Sequence, residues 1–158
     1  MRIGFGYDVH RLVQERLLVL GGVTVPYELG LLGHSDADVL VHSMMDALLG
    51  AVAAGDIGRH FSDQDPQYKG VASLLLLAKV SEIIANKGYQ VGNIDSVIVA
   101  QKPKLAGFIP QMTQKVASVL QVSLDQVNIK ATTTEGLGFA GTGEGIASYS
   151  VALVRKLL

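Results

Sequence analysis

The chain has no cysteine, no block of like charge and no apolar run long enough to span a bilayer. Without cysteine there is no disulfide framework and no thiolate chemistry, so a zinc ion could be held only by histidine and carboxylate. The formal net charge of −1 excludes the electrostatic footprint of a nucleic-acid binder or a polybasic membrane contact. The longest apolar stretch, Val71 to Ala85, is interrupted by Lys79 and Glu82 and is too short to cross a membrane. Met1-Arg2-Ile3 leads straight into a strand pattern with no targeting segment, so a cytoplasmic location is expected. What is present is apolar: 49% hydrophobic against 17% charged residues over 158 positions. That composition predicts one well-buried domain spanning 1–158, with some apolar surface to spare for an oligomer.

Alternation of side chains predicts strands at about 2–9, 17–20 and 23–25, the last two joined by a turn at Gly21-Gly22. Residues 30–33 read as loop. Ser35-Asp36-Ala37-Asp38 resembles a capping box opening a helix to about Ala54, stopped by Gly55-Asp56-Ile57-Gly58. No period runs through 59–70, which reads as loop. A second helix is expected at about 71–87, ended by Gly88, and a third at about 109–120. Further strands fall at about 94–101, 127–133 and 146–157, with a glycine-rich loop before the last. Together these predict an α/β (α+β) sandwich, a mixed sheet with three helices on one face.

The chemistry concentrates first in Asp8-Val9-His10. On a strand, Ile3, Phe5, Tyr7 and Val9 share one face, so Asp8 and His10 project together from the other. Two such side chains can reach one metal ion, and His42 is a candidate third ligand, leaving a position open as in catalytic zinc sites. Asp38 and Asp46 lie one turn before and after His42 on the same helical face. They read either as a solvated stripe or as carboxylates that orient the His42 ring through its other nitrogen.

A second group suits phosphate. Thr132-Thr133-Thr134-Glu135-Gly136 ends a strand with hydroxyls, free backbone N–H groups and a carboxylate able to hold a hard cation such as Mg²⁺. A threonine-rich strand edge with a flexible turn is the plainer reading of the same residues. Ala100 to Ala106, with Lys102 and Lys104 around Pro103, is either a basic turn or a rigid loop presenting backbone to a base. His34-Ser35 precedes a helix start, where anions are favoured, and Asp56, Asp63 and Asp65 sit in loops.

Several of these segments, in this order, resemble the 2-C-methyl-D-erythritol 2,4-cyclodiphosphate synthases of non-mevalonate isoprenoid synthesis. They are Gly6 to His10, Gly33 to Val39 with His42, Gly55 to Gly58, Phe61-Ser62-Asp63, Ile129 to Glu135 and Gly143 to Ile146. The resemblance covers essentially the whole chain. It implies a phosphorus–oxygen lyase that converts 4-diphosphocytidyl-2-C-methyl-D-erythritol 2-phosphate to the cyclic diphosphate and CMP. It implies zinc on Asp8, His10 and His42, and Mg²⁺ or Mn²⁺ between the phosphates with Glu135. His34 and Thr133 then match transition-state-stabilising positions. Asp56, Ile57, Gly58, Phe61 and Asp63 match the methylerythritol side. Ser35, Ala100, Lys104, Leu105, Ala106, Thr132, Thr134 and Phe139 complete the substrate contacts. The family's homotrimer around a threefold axis, with sites between subunits, is the implied assembly. Thr142 and Gly136 stand where several relatives carry a basic residue, and neither supplies that charge. From the residues alone, a zinc phosphohydrolase and a non-catalytic nucleotide-binding module remain open alternatives.

Overall fold

The computed structural model describes residues 1–158. Its backbone is built on two long strands, β1 (Arg2–Val13) and β7 (Gly145–Lys156), paired antiparallel from Arg2↔Val154 to Arg11↔Gly145. On the far side of β7 runs β5 (Tyr89–Val99), which in turn pairs in parallel with β6 (Val127–Thr132). The short β4 (Gly30–Leu31) closes the other edge, giving the order β4-β1-β7-β5-β6. This is the expected mixed sheet. A separate hairpin joins β2 (Leu18–Leu20) to β3 (Val23–Val25). Its two turn residues, Gly21 and Gly22, both have positive φ, as a tight hairpin of matching twist requires.

Three long helices cover one face: α1 (Val39–Ala51), α3 (Ser73–Asn86) and α4 (Ile109–Leu120), with the one-turn α2 (Ile57–His60) between the first two. Most of α1 is buried, because the sheet lies beneath it and α3 beside it. That overturns the solvated-face reading of the Asp38, His42, Asp46 stripe: Asp38 and His42 are buried and Asp46 is half-buried. Asp38, not Ser35, caps the helix, so α1 begins three residues later than a Ser35 cap implies. Its carboxylate accepts from Val41 N–H at 3.1 Å and from Gly21 and Gly22 N–H at 3.0 and 2.7 Å. One buried side chain therefore ties the hairpin turn to the start of α1. Burial and nearby Asp36 push that carboxyl up to about 6, against the lowering effect of those three donors.

The approach of α1 to β1 is closer than ordinary side chains allow. A Cβ on Gly4 would stand 1.8 Å from the Ala47 carbonyl oxygen, and one on Gly6 2.0 Å from that of Ser43. Alongside, the Ser43 hydroxyl donates to Leu40 O at 2.8 Å and meets those of Ser148 and Ser150 at 2.9 and 2.7 Å. Small residues and shared hydroxyls thus replace bulky packing at this seam.

The remaining differences from the sequence reading are local. β1 continues past residue 9 because β4 pairs with Leu12 and Val13, in a segment expected to be loop. α1 stops at Ala51, and Ala53 has φ of +54°. β5 starts five residues early, through an irregularity between Val91 and Asn93. One turn of 3₁₀ helix, Pro66–Tyr68, punctuates the 59–70 segment, and a short α5 (Gly138–Gly141) lies in the glycine-rich loop. The apolar face of β1 is the one the helices leave open: Ile3 and Phe5 are 70% and 62% exposed.

Gly6→Ala is expected to lose about 3 kcal/mol or more, because the clash is with backbone that cannot step aside. Gly50, on α1 with nothing near its absent Cβ, is the control: Gly50→Ala should be neutral or stabilising by up to about 1 kcal/mol. Urea unfolding of the two variants checks both signs.

Candidate functional site

That seam sets His42, the residue before Ser43, over Asp8, two residues beyond Gly6. His42 Nδ1 lies 3.0 Å and His10 Nε2 2.9 Å from the same oxygen, Asp8 Oδ2, and the two ring nitrogens are 3.2 Å apart. The three expected ligands do converge. Four-coordinate zinc at about 2.0–2.2 Å spaces its donors roughly 3.3–3.6 Å apart, so a few tenths of an ångström separate this trio from a metal cage.

The donor set also fits a cation electronically. His10 Nδ1 faces the Leu32 carbonyl at 2.8 Å, and a carbonyl only accepts. In the neutral ring, therefore, Nδ1 carries the hydrogen and Nε2 a lone pair, while in the charged ring Nε2 also carries a hydrogen and donates to Asp8. Two imidazoles and a carboxylate thus turn donor atoms toward one point, an arrangement favourable only around positive charge. Burial raises the Asp8 carboxyl, but hydrogen bonds from His10 and His42 and their charge outweigh it and hold it at about 2. Burial lowers His10, and its hydrogen bond and attraction to Asp8 more than reverse this, leaving it above its ordinary 6.5.

Neither Asp38 nor Asp46 orients His42. Asp46 accepts from Ile57 N–H at 2.8 Å, pinning α2 to α1, while Asp38 is occupied as the cap. The outer nitrogen of His42, Nε2, instead faces the hydroxyls of Ser73 at 2.9 Å and Ser35 at 3.2 Å. Ser73 was not singled out from sequence. It sits in an apolar helical run where a serine at a helix start looks like ordinary capping.

The trio opens into a cleft of about 310 Å³ whose wall includes His34, Ser35, Ile57, Gly58, Phe61 and Asp63. Tyr68 and Leu76 also line it. Sequence reasoning missed both, one in a segment without period and the other on a helix that reads as core. Phe61 meets Tyr68 edge to face, ring centres 5.5 Å apart, which gives that wall a rigid aromatic corner. His34 Nε2 donates to the Asp65 carbonyl at 3.0 Å. Asp56 does not line the cleft; it caps α2 by accepting from Arg59 N–H at 3.0 Å.

Ala100, Lys104, Leu105, Ala106, Thr132 and Thr133 form a separate hollow of about 230 Å³ that shares no residue with the first. Thr134 and Glu135 lie in the turn beyond it, where Gly136 N–H donates to Gln101 Oε1 at 3.1 Å. Phe139 lines a third hollow with Val9, His10 and Glu144, and Thr142 donates to Glu144 at 2.7 Å. Within one chain, therefore, His34 and Thr133 are not brought together.

A model of the YgbB family matches residues 1–155. A protein of Desulforamulus reducens named 2-C-methyl-D-erythritol 2,4-cyclodiphosphate synthase is 65% identical over 156 residues, covering 99% of both chains. One of the same name from Pelotomaculum thermopropionicum is also 65% identical, covering 99% of this chain and 96% of its own. The solved IspF of Plasmodium falciparum, in a CDP complex, superposes with a TM-score of 0.86 at 32% identity, covering 99% and 97% of the two chains.

Metal binding here must displace the proton that His10 holds, so affinity should rise with pH. Zinc affinity is expected to climb by up to about tenfold per pH unit while His10 is protonated, a range that extends above its ordinary 6.5, and to level off once the ring is neutral. Competition with a chromogenic chelator measures it; a flat profile would show that His10 is not a ligand.

Proposed function

The chain belongs to the YgbB family, and we propose that it converts 4-diphosphocytidyl-2-C-methyl-D-erythritol 2-phosphate to 2-C-methyl-D-erythritol 2,4-cyclodiphosphate and CMP. The observation that carries this reading is the three-donor centre of Asp8, His10 and His42 at the floor of a cleft sized for a small phosphorylated polyol. The relatives' shared name supports it. The whole chain, 1–158, acts as one catalytic domain in the cytoplasm. No helix is long and apolar enough to cross a membrane.

Zinc on Asp8, His10 and His42, with Mg²⁺ or Mn²⁺ at Glu135, would supply the positive charge that lets two anionic phosphate groups approach. The chain's own residues supply position. Ile57, Gly58, Phe61 and Asp63 hold the methylerythritol portion, and Asp56 fixes the turn that presents them. Ala100, Lys104, Leu105 and Ala106, with Thr132 and Thr134, hold the cytidine diphosphate end. Aligned this way, an oxygen of the substrate's 2-phosphate bonds to the β-phosphorus while the bond from that phosphorus to the bridging oxygen of CMP breaks. No side-chain nucleophile and no water is consumed. His34, its ring anchored on the Asp65 carbonyl, and the Thr133 hydroxyl stabilise the charge on the oxygens in flight.

His34 and Thr133 line different hollows of one chain, so one subunit's nucleotide hollow must face its neighbour's metal cleft. The open sheet face supplies the means of assembly. Phe5 lies opposite Val151 and Tyr7 opposite Tyr149, with the two tyrosine rings 4.8 Å apart. With Ile3 and Val9 they form an apolar patch of the kind that soluble proteins cover by association. Three copies packing this face around a threefold axis give the homotrimer.

Mass spectrometry of the products made in ¹⁸O-water tests the reaction: the cyclic diphosphate should appear with CMP, free of solvent oxygen. Solvent ¹⁸O in a linear phosphate product would instead establish a hydrolase. CDP binding without turnover would establish a binding module. Phe5→Glu should give a folded monomer by sedimentation, with turnover abolished although the metal ligands are intact. An active monomer would refute the shared site.

A further inference from the structure

His42 is the one member of the trio whose ring could point its lone pair the wrong way. The His10 ring is locked by a carbonyl, which can only accept. The outer nitrogen of His42 faces hydroxyls, and a hydroxyl can accept or donate. If either hydroxyl donated to Nε2, the hydrogen would sit on Nδ1, between His42 and Asp8, and that nitrogen could bind no metal. Something must settle the direction.

We propose that Asp36, acting through Ser73, is the positioning pair that sets the His42 tautomer for metal capture. The Ser73 hydroxyl donates to Asp36 Oδ1. A carboxylate only accepts, so Ser73 spends its single hydrogen there. Toward His42 Nε2, at 2.9 Å, the Ser73 oxygen can then only accept. The hydrogen is thereby held on Nε2, and Nδ1 presents its lone pair to the point shared with Asp8 and His10. Ser35 cannot do the same. Its oxygen accepts from Ala37 N–H at 3.2 Å, and its hydrogen stays free to turn toward His42. The two serines are thus alike in contact and opposite in consequence.

Asp36 is itself fixed. Its second oxygen accepts from Ser73 N–H at 3.0 Å, its first also accepts from Asp38 N–H at 3.1 Å, and its own N–H donates to Val71 O at 3.0 Å. Two of these hydrogen bonds clamp Ser73, the first residue of α3, to the loop entering α1; a third ties that loop to Val71 just before the helix, and the fourth lies within the loop. The relay cannot swing away without releasing that clamp, and the carboxylate gains from lying at the start of a 14-residue helix. Outer partners of metal-bound histidines commonly hold the ring this way, and losing one lowers metal affinity by about 10–100-fold.

This inference rests on the metal reading of Asp8, His10 and His42, and its test separates the two. In metal-free protein with ¹⁵N-labelled histidine, at mildly alkaline pH, the imidazole nitrogen shifts report the tautomer directly. The unaltered chain should show His42 with its hydrogen on Nε2. Ser73→Ala should move the population toward Nδ1–H, because Ser35 is then free to donate, and lower Zn²⁺ affinity about 10–100-fold. Ser35→Ala should leave the tautomer as it is. Asp36→Asn, which keeps the shape of the clamp, should shift the tautomer as Ser73→Ala does, and it stands in should Ser73→Ala not fold. An unchanged His42 tautomer in Ser73→Ala or in Asp36→Asn would overturn the proposal. Failure of the unaltered chain to bind Zn²⁺ would sink the metal reading while leaving the tautomer result standing.

Discussion

The constraint on which the rest depends is the contact between α1 and β1 at Gly4 and Gly6. With hydrogen as the only side chain at both positions, the helix backbone comes within what would be a steric overlap for any other residue. Two consequences follow from one approach. His42 is carried into reach of Asp8 and His10, and α1 is sunk so deeply that it has almost no solvent side. Such a helix cannot be stabilised by the usual contrast of apolar and polar faces. Its polar residues need partners inside the protein, and each has one: Asp38 the hairpin turn, Ser43 the hydroxyls of Ser148 and Ser150, and Asp46 the backbone of Ile57. Buried polar groups are costly when unpaired and rigidifying when satisfied. Here every one is satisfied.

The same logic governs the electrostatics of the centre. When both rings are neutral with their hydrogens on the outer nitrogens, two lone-pair nitrogens and a carboxylate within 3.2 Å repel one another, and the outer anchors hold the rings in place against this. The strain is relieved by positive charge, a proton or a metal ion, and the raised His10 value expresses the proton's side of that competition. Part of the stability of the metal-free fold is thus tied to the proton that the ion would replace.

How much of this is readable from the sequence depends on the range of the interaction. Alternation along a strand is local, so the shared face of Asp8 and His10 follows from spacing alone. The helices over 73–86 and 109–120 announce themselves by their period, and Gly88 and Pro110 mark an end and a beginning. His42 as a third ligand is readable only because histidines are few. What failed was long-range in origin. Asp38 looks like a partner for His42 at helical spacing, but a hairpin 16 residues upstream claims both of its oxygens. Ser73 and Asp36 are 37 residues apart and carry no pattern that would pair them. β4, two residues long, exists only because β1 offers it an edge. Thr133, Glu135 and the 100–106 loop are readable as groups suited to phosphate or a base, but only the resemblance to a known family joins them to the metal ligands, and one chain does not bring them there.

That separation finds its reason in the two faces of β1. Along the strand, Gly4, Gly6, Asp8 and His10 face the helices, and Ile3, Phe5, Tyr7 and Val9 face outward. A slip of one residue in pairing would exchange the sets, putting aromatic rings against α1 and the metal donors on the open surface. Pairing with β7 from Arg2↔Val154 to Arg11↔Gly145 forbids that slip, and Tyr149 and Val151 extend the outward set across the neighbouring strand. A single register therefore builds the Asp8, His10 and His42 donor trio on one side and the apolar face on the other. If a second copy must supply the nucleotide hollow, the surface that recruits it and the donors that await it are fixed by the same hydrogen bonds. The donor trio and the outward apolar face are then two products of one strand register, and a change that disturbs it displaces both together.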